Sequence, residues 1–124
     1  MKTFLTSILF ICFTNQIIAQ NLSNLSFGTD STFEVVSWNI EWFPKNGTIT
    51  ANYVQTILTN LQADVYALQE IDDTTLLKSV VANIPGYECY FESSYFAGLA
   101  YVYNTNTIII NDKYEIQIDR VLIH

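Results

Sequence analysis

Two residues of this 124-residue chain join useful chemistry to a useful place on an element. Val35-Val36-Ser37-Trp38-Asn39 is a β-branched and aromatic run ending on an amide, and Val65-Tyr66-Ala67-Leu68-Gln69-Glu70 is a second apolar run ending on a carboxylate. If a right-handed helical crossover joins the two strands, they are parallel and both tips emerge at one edge of the sheet. Open α/β sheets bind their ligands at that edge. An amide oxygen and a carboxylate in one crevice make half a site for Mg²⁺, which prefers oxygen ligands and keeps several waters. Each residue also has a plainer reading, Asn39 as a turn former and Glu70 as a solvated loop carboxylate. Spacing alone leaves both readings open.

The elements that must hold these residues are legible in the apolar rhythm. Phe33 to Trp38 reads as a buried strand that runs on through Asn39-Ile40-Glu41-Trp42-Phe43 and stops at Pro44, with Asn46-Gly47 as a turn. From Thr48 the spacing turns helical, with Ile49, Tyr53, Ile57 and Leu61 on one face, Val54 and Leu58 beside them, and Thr48 or Thr50 as N-cap. The run from Asp64 to Glu70 is too short for a helix and reads as a second central strand. Asp72 and Asp73 offer caps to a second helix whose stripe is Leu76, Leu77, Val80, Val81 and Ile84, ended by Pro85-Gly86. Tyr87–Phe91, Leu99–Tyr103, Thr107–Ile110 and Glu115–Ile123 then read as strands. A crossover unit followed by hairpins predicts an α/β fold, a mixed sheet covered on one face by helices. Val35, Leu68, Tyr101 and Val102 are expected on the other face. Glu41, two residues past Asn39, would share its face in a continuing strand but is expected as a rim charge, and Trp42 and Phe43 would either wall the site or pack beneath the loop.

At these residues the chain resembles the endonuclease/exonuclease/phosphatase superfamily. Ser37-Trp38-Asn39-Ile40 is similar to its first motif, Ala63-Asp64-Val65-Tyr66-Ala67-Leu68-Gln69-Glu70-Ile71 to its second, and Gly98-Leu99-Ala100-Tyr101-Val102-Tyr103-Asn104 to its third recurring strand. The second motif is the most specific of the three. The resemblance covers roughly residues 33 to 123 and implies a four-layered α/β sandwich of which this chain supplies about the first half. It implies Glu70 as the ligand of Mg²⁺ or Mn²⁺ and Asn39 as the amide beside metal or phosphate. The substrate it implies is a phosphodiester or phosphomonoester: nucleic acid, lipid or sugar phosphate. The superfamily's mechanism is in-line attack of water on phosphorus, with a metal stabilising the developing oxyanion and a His-Asp pair activating the water. The family's Asp-x-Asn and Asp-His motifs have no counterpart here, since the sole histidine, His124, is the last residue. The chain is therefore expected to be inactive by itself, with residues 33–124 as the N-terminal part of a truncated domain. The open alternating pattern of Tyr114 to His124 carries the same expectation. A secreted binding module that keeps the fold without the chemistry is the competing reading, and no obligate protein partner is evident.

Composition adds a compartment. Lys2, the apolar run Phe4 to Phe13 and the small residue Ala19 have the order of a secretory signal peptide, and the run is too short to span a bilayer. Ile11 stands before Cys12 where a lipoprotein anchor would want a small residue. Residues 1–19 are thus read as a signal peptide and 20–32 as a flexible leader. Removing 1–19 leaves four Lys and Arg against twelve Asp and Glu, a balance that repels phosphate backbones unless bound cations offset it. Cys89 would be the one remaining cysteine, read either as a buried small hydrophobe or as a partner for a cysteine elsewhere. The expected outcome is an exported protein, secreted or periplasmic, whose N-terminal sequencing begins near Gln20. An intact Met1 on exported material would overturn it.

Overall fold

The computed structural model describes residues 25–92 and 98–112, apart from the side chain of Glu92. The segment 1–19, the expected strand at Glu115–Ile123 and His124 lie outside the described residues. The order is β1 (Val35–Phe43), α1 (Thr48–Leu61), β2 (Val65–Ile71), α2 (Thr74–Ala82), β3 (Tyr87–Glu92) and β4 (Gly98–Asn104). The strands form one sheet in the order β1-β2-β4-β3. β1 runs parallel to β2, and β4 runs antiparallel to both β2 and β3. This is the expected α/β arrangement: a mixed four-stranded sheet with two helices. No helix among the described residues is long and apolar enough to cross a membrane.

Alternation along the strands creates the core. Ile40, Tyr66, Leu68, Ala100 and Val102 face one way and are buried in one cluster with Val54 and Leu58 of α1 and Leu77, Val80 and Val81 of α2. Val35, Ser37, Asn39, Leu99 and Tyr101 face the other way and are exposed. Leu68 and Val102 therefore belong with the helices, contrary to the expectation that grouped them with Val35 and Tyr101. The register explains it: Leu68 stands opposite Trp38 and Ala100, and Val102 opposite Tyr66. Over these pairs the even positions of β1, β2 and β4 share the helix-covered face.

Both helices depart from or match expectation for identifiable reasons. In α1 the buried stripe is Ala51, Val54 and Leu58, with Leu61 packed against it. Ile49 and Tyr53 are exposed, so the stripe runs through Ala51, whose small side chain hid it from a pattern search for large apolar residues. No side chain caps this helix; Gly47 is the N-cap at φ 60°. The Thr50 hydroxyl instead accepts from the Asn46 N–H at 3.1 Å and closes the preceding turn. In α2 the Asp73 carboxylate accepts from the Leu76 N–H at 2.8 Å, as the sequence predicts, and its buried face is the expected one. Thr107–Ile110 is not a strand: the Thr107 and Ile108 N–H groups both donate to Asn104 O, which folds the chain into a turn after β4.

Asp64 ties three parts of the sheet together. It is buried at 7% exposure, with Oδ2 accepting from the Glu34 N–H at 2.8 Å and Oδ1 from the Thr107 hydroxyl at 2.5 Å. Its backbone carbonyl accepts from the Asn104 N–H at 2.9 Å. The Thr107 hydroxyl first, then the Glu34 amide, hold its carboxyl below the ordinary carboxylate range. A folded state that releases this proton more readily than the unfolded chain is stabilised above the ordinary carboxylate pKa. That stability is lost as the pH falls through the lowered folded value. Asp64→Asn should therefore cost about 1–3 kcal/mol near neutral pH, read by urea unfolding, and the gap to wild type should narrow progressively as the pH is lowered below the ordinary carboxylate pKa. A gap that does not narrow would show that the charge is not what matters.

Candidate functional site

Alternation fails at one edge of the sheet, and the candidate residues lie where it fails. Asn39 pairs with Gln69, but the next partners are Phe43 and Ile71, so β1 carries two more residues than β2 over that interval. Glu41 and Trp42 take up the difference in the left-handed region, at φ 45° and 55°. On the other side of β2, Leu68 pairs with Ala100 and Ile71 with Gly98, leaving one extra residue on β2. Glu70, at φ 61°, stands in that interval. Such bulges re-aim side chains at sheet edges.

The consequence for Glu70 is direct. Strict alternation from buried Leu68 would put Glu70 on the helix side and Ile71 on the open side. The extra residue reverses this: Ile71 is buried, and the Glu70 carboxylate reaches the open-face residue Asn39, whose Nδ2 donates to Oε1 at 2.7 Å. Asn39 Oδ1 accepts from the Glu41 N–H at 2.8 Å. The Asn39 amide thus bridges the two bulges, one through each end of its side chain. The two residues singled out in the sequence, 31 positions apart, are in contact.

The tip is fastened from below. Phe43 is wholly buried at 0% exposure, and its carbonyl accepts from both the Asp72 and Asp73 N–H groups, at 2.9 and 3.0 Å. Glu41 has a left-handed backbone and pairs with Lys45, the rim charge that the sequence favours over a place in the site. Gln69 is also occupied, its Nε2 donating to Ala67 O at 2.7 Å and to the Ser37 hydroxyl at 3.4 Å. Of the aromatic pair, Phe43 packs beneath the loop, whereas Trp42 is 58% exposed.

As a metal site the edge is sparse. Among the described residues no group of three or more His, Cys, Asp or Glu side chains could hold an ion. The donors present suit a hard cation that keeps most of its water: one carboxylate, with an amide oxygen already accepting one hydrogen bond. Cys89 adds nothing nucleophilic, since burial pushes its thiol pKa up and only the thiolate reacts. No periodicity could have located the left-handed residues, because Glu and Trp carry no turn signal of the glycine or asparagine kind.

No family model and no curated protein matches this chain at a significant level.

Each non-glycine residue in the left-handed region costs about 1–3 kcal/mol and persists only where its surroundings hold it. Here the holding group is Phe43. Phe43→Ala should lower stability by about 3–5 kcal/mol in urea unfolding. It should also unpin the loop, read as faster amide exchange at Asp72 and Asp73. Stability lost without faster exchange there would mean that Phe43 fills the core but does not hold the loop.

Proposed function

We propose that the chain is the N-terminal portion of a secreted, divalent-metal-dependent phosphoesterase of the endonuclease/exonuclease/phosphatase type. The observation that carries this reading is the Asn39–Glu70 contact at the tips of two parallel strands. A carboxylate at that edge, held by one side-chain amide, is the arrangement a hydrated Mg²⁺ or Mn²⁺ would use. Glu70 would hold the ion. Asn39, whose amide spans Glu70 and the Glu41 N–H, would keep the carboxylate in one rotamer. Bound there, the cation would offset phosphate charge that this acidic chain otherwise repels, and would stabilise the oxyanion formed as water attacks phosphorus.

The uncovered sheet face supports the sandwich part of the reading. Parallel strand pairs are ordinarily buried on both faces, yet among the described residues the helices cover β1 and β2 on one side, and Val35, Leu99 and Tyr101 are exposed on the other. A second sheet laid on that face would make the four-layered sandwich of the family. The substrate is a phosphodiester or phosphomonoester, of nucleic acid, lipid or sugar phosphate. The described part of the chain holds the cation end of the site, so hydrolysis by the chain alone is expected at background.

Cation binding is therefore the direct test. Mn²⁺ titrated into the 124-residue chain, followed by water proton relaxation, should bind weakly, and Glu70→Gln should weaken it by about tenfold or more. Asn39→Ala should weaken it less, because the amide orients the ligand and adds no charge. Unaltered Mn²⁺ affinity in Glu70→Gln would remove Glu70 from the site and the reading with it.

A further inference from the structure

The residue that neither the fold nor the cation site accounts for is Trp42. A bulky side chain at φ 55° carries a backbone cost that glycine would avoid. Burial would offset such a cost, but Trp42 keeps 58% of its surface exposed. The position is nevertheless firmly held. On one side the Glu41 N–H is bonded to Asn39, and on the other Phe43 O accepts two backbone N–H groups. Three peptide units separate Trp42 from Asn39, so their Cα atoms lie within about 11 Å, roughly the span of one nucleotide. A largely exposed Trp on a held, left-handed backbone near a candidate phosphate site is a feature that folding alone would remove, and strain of this kind gathers at ligand sites.

We infer that Trp42 is a stacking platform for a planar ring carried by the substrate, making a nucleotide-type phosphoester the preferred class. The inference rests on the phosphoesterase reading for the phosphate end and on Trp42 for the ring end. The ring is favoured over an acyl chain because two exposed charges, Glu41 and Lys45, lie within three residues of Trp42 in the chain. Charges that close to the indole suit a polar ring system better than a lipid tail. A short nucleotide is favoured over a polymer because each further phosphate meets an acidic chain of net charge −7. Stacking is also the mode that tolerates any base, since every base presents a π-face.

The test separates the two ends of the site. Adenosine, adenosine 5′-monophosphate and ribose 5-phosphate are titrated into the chain with Mg²⁺ and followed by ligand-observed NMR. Vesicles of phosphatidylcholine and phosphatidylglycerol form a fourth arm. In the wild type, adenosine 5′-monophosphate should bind more tightly than ribose 5-phosphate, by about 5- to 150-fold for one stacked base. Trp42→Ala should abolish that ratio and Trp42→Phe should keep most of it. Glu70→Gln should leave adenosine binding intact while weakening both phosphates. Trp42→Gly serves as the folding control: relieved of its strain, it should melt no lower than wild type and still lose the ring preference. Equal binding of the two phosphates by the wild type, an undiminished ratio in Trp42→Ala or Trp42→Gly, or Trp42-dependent binding to vesicles without nucleotide binding would overturn the inference. Loss of the Glu70 effect alone would overturn the cation site and leave the platform standing.

Discussion

Strand register in this protein is held at one buried carboxylate. Asp64 accepts the Glu34 N–H through its side chain while the neighbouring Val65 N–H donates to Glu34 O, so the start of β1 is clamped to the start of β2. From that clamp the pairs run in step, Val35 with Val65 through Asn39 with Gln69. A one-residue slip would send Asn39 to the helix side and turn Val36 and Trp38 out of the core, because strand side chains alternate with a period of two. The same carboxylate holds Thr107 after β4, which fixes the far hairpin against β2. The face on which Asn39 stands thus depends on a clamp at the opposite end of the sheet.

Beneath the clamp lies a compact hydrogen-bonded corner. The Tyr66 hydroxyl accepts from the Ala63 N–H and donates to Leu58 O, joining β2 to the last turn of α1. The Tyr87 hydroxyl donates to Ala63 O, and its ring meets that of Tyr66 at a tilt, centroids 6.2 Å apart. Burial pushes the pKa of both phenols up, which keeps them neutral donors across the physiological range. Large aromatic side chains fill the interior here, and their hydroxyls satisfy backbone groups that the αL turn at Gln62 would otherwise leave open. The rigid end of the sheet is polar-bonded and buried; the opposite end carries the bulges and is where a ligand would meet the protein.

That division suits a site. Bulges at Glu41-Trp42 and at Glu70 redirect three side chains at one edge, and each depends on Phe43 and Ile71 being anchored in the core. The strain is concentrated where the chain can present charge and aromatic surface, and the packing that tolerates it is supplied by residues on the face below.

Local patterns in the sequence determined the elements: apolar runs of strand length, a capped second helix at Asp73, a stop at Pro44, and the two strand tips that bear Asn39 and Glu70. Each of these rests on interactions within a few residues, which a single chain displays. Tertiary structure decided the rest. The α1 stripe runs through Ala51, which packing buries with Val54 and Leu58 while Ile49 and Tyr53 stay exposed. Leu68 and Val102 face the helices because pairing sets parity. Thr107–Ile110 turns because Asp64 claims the Thr107 hydroxyl. Glu70 reaches Asn39 only because an extra residue in β2 reverses its side, and that residue is accommodated by partners on β1 and β4 that lie far away in sequence. Spacing could bring the two residues to one edge of the sheet; the bulges, which depend on three strands at once, put them in contact.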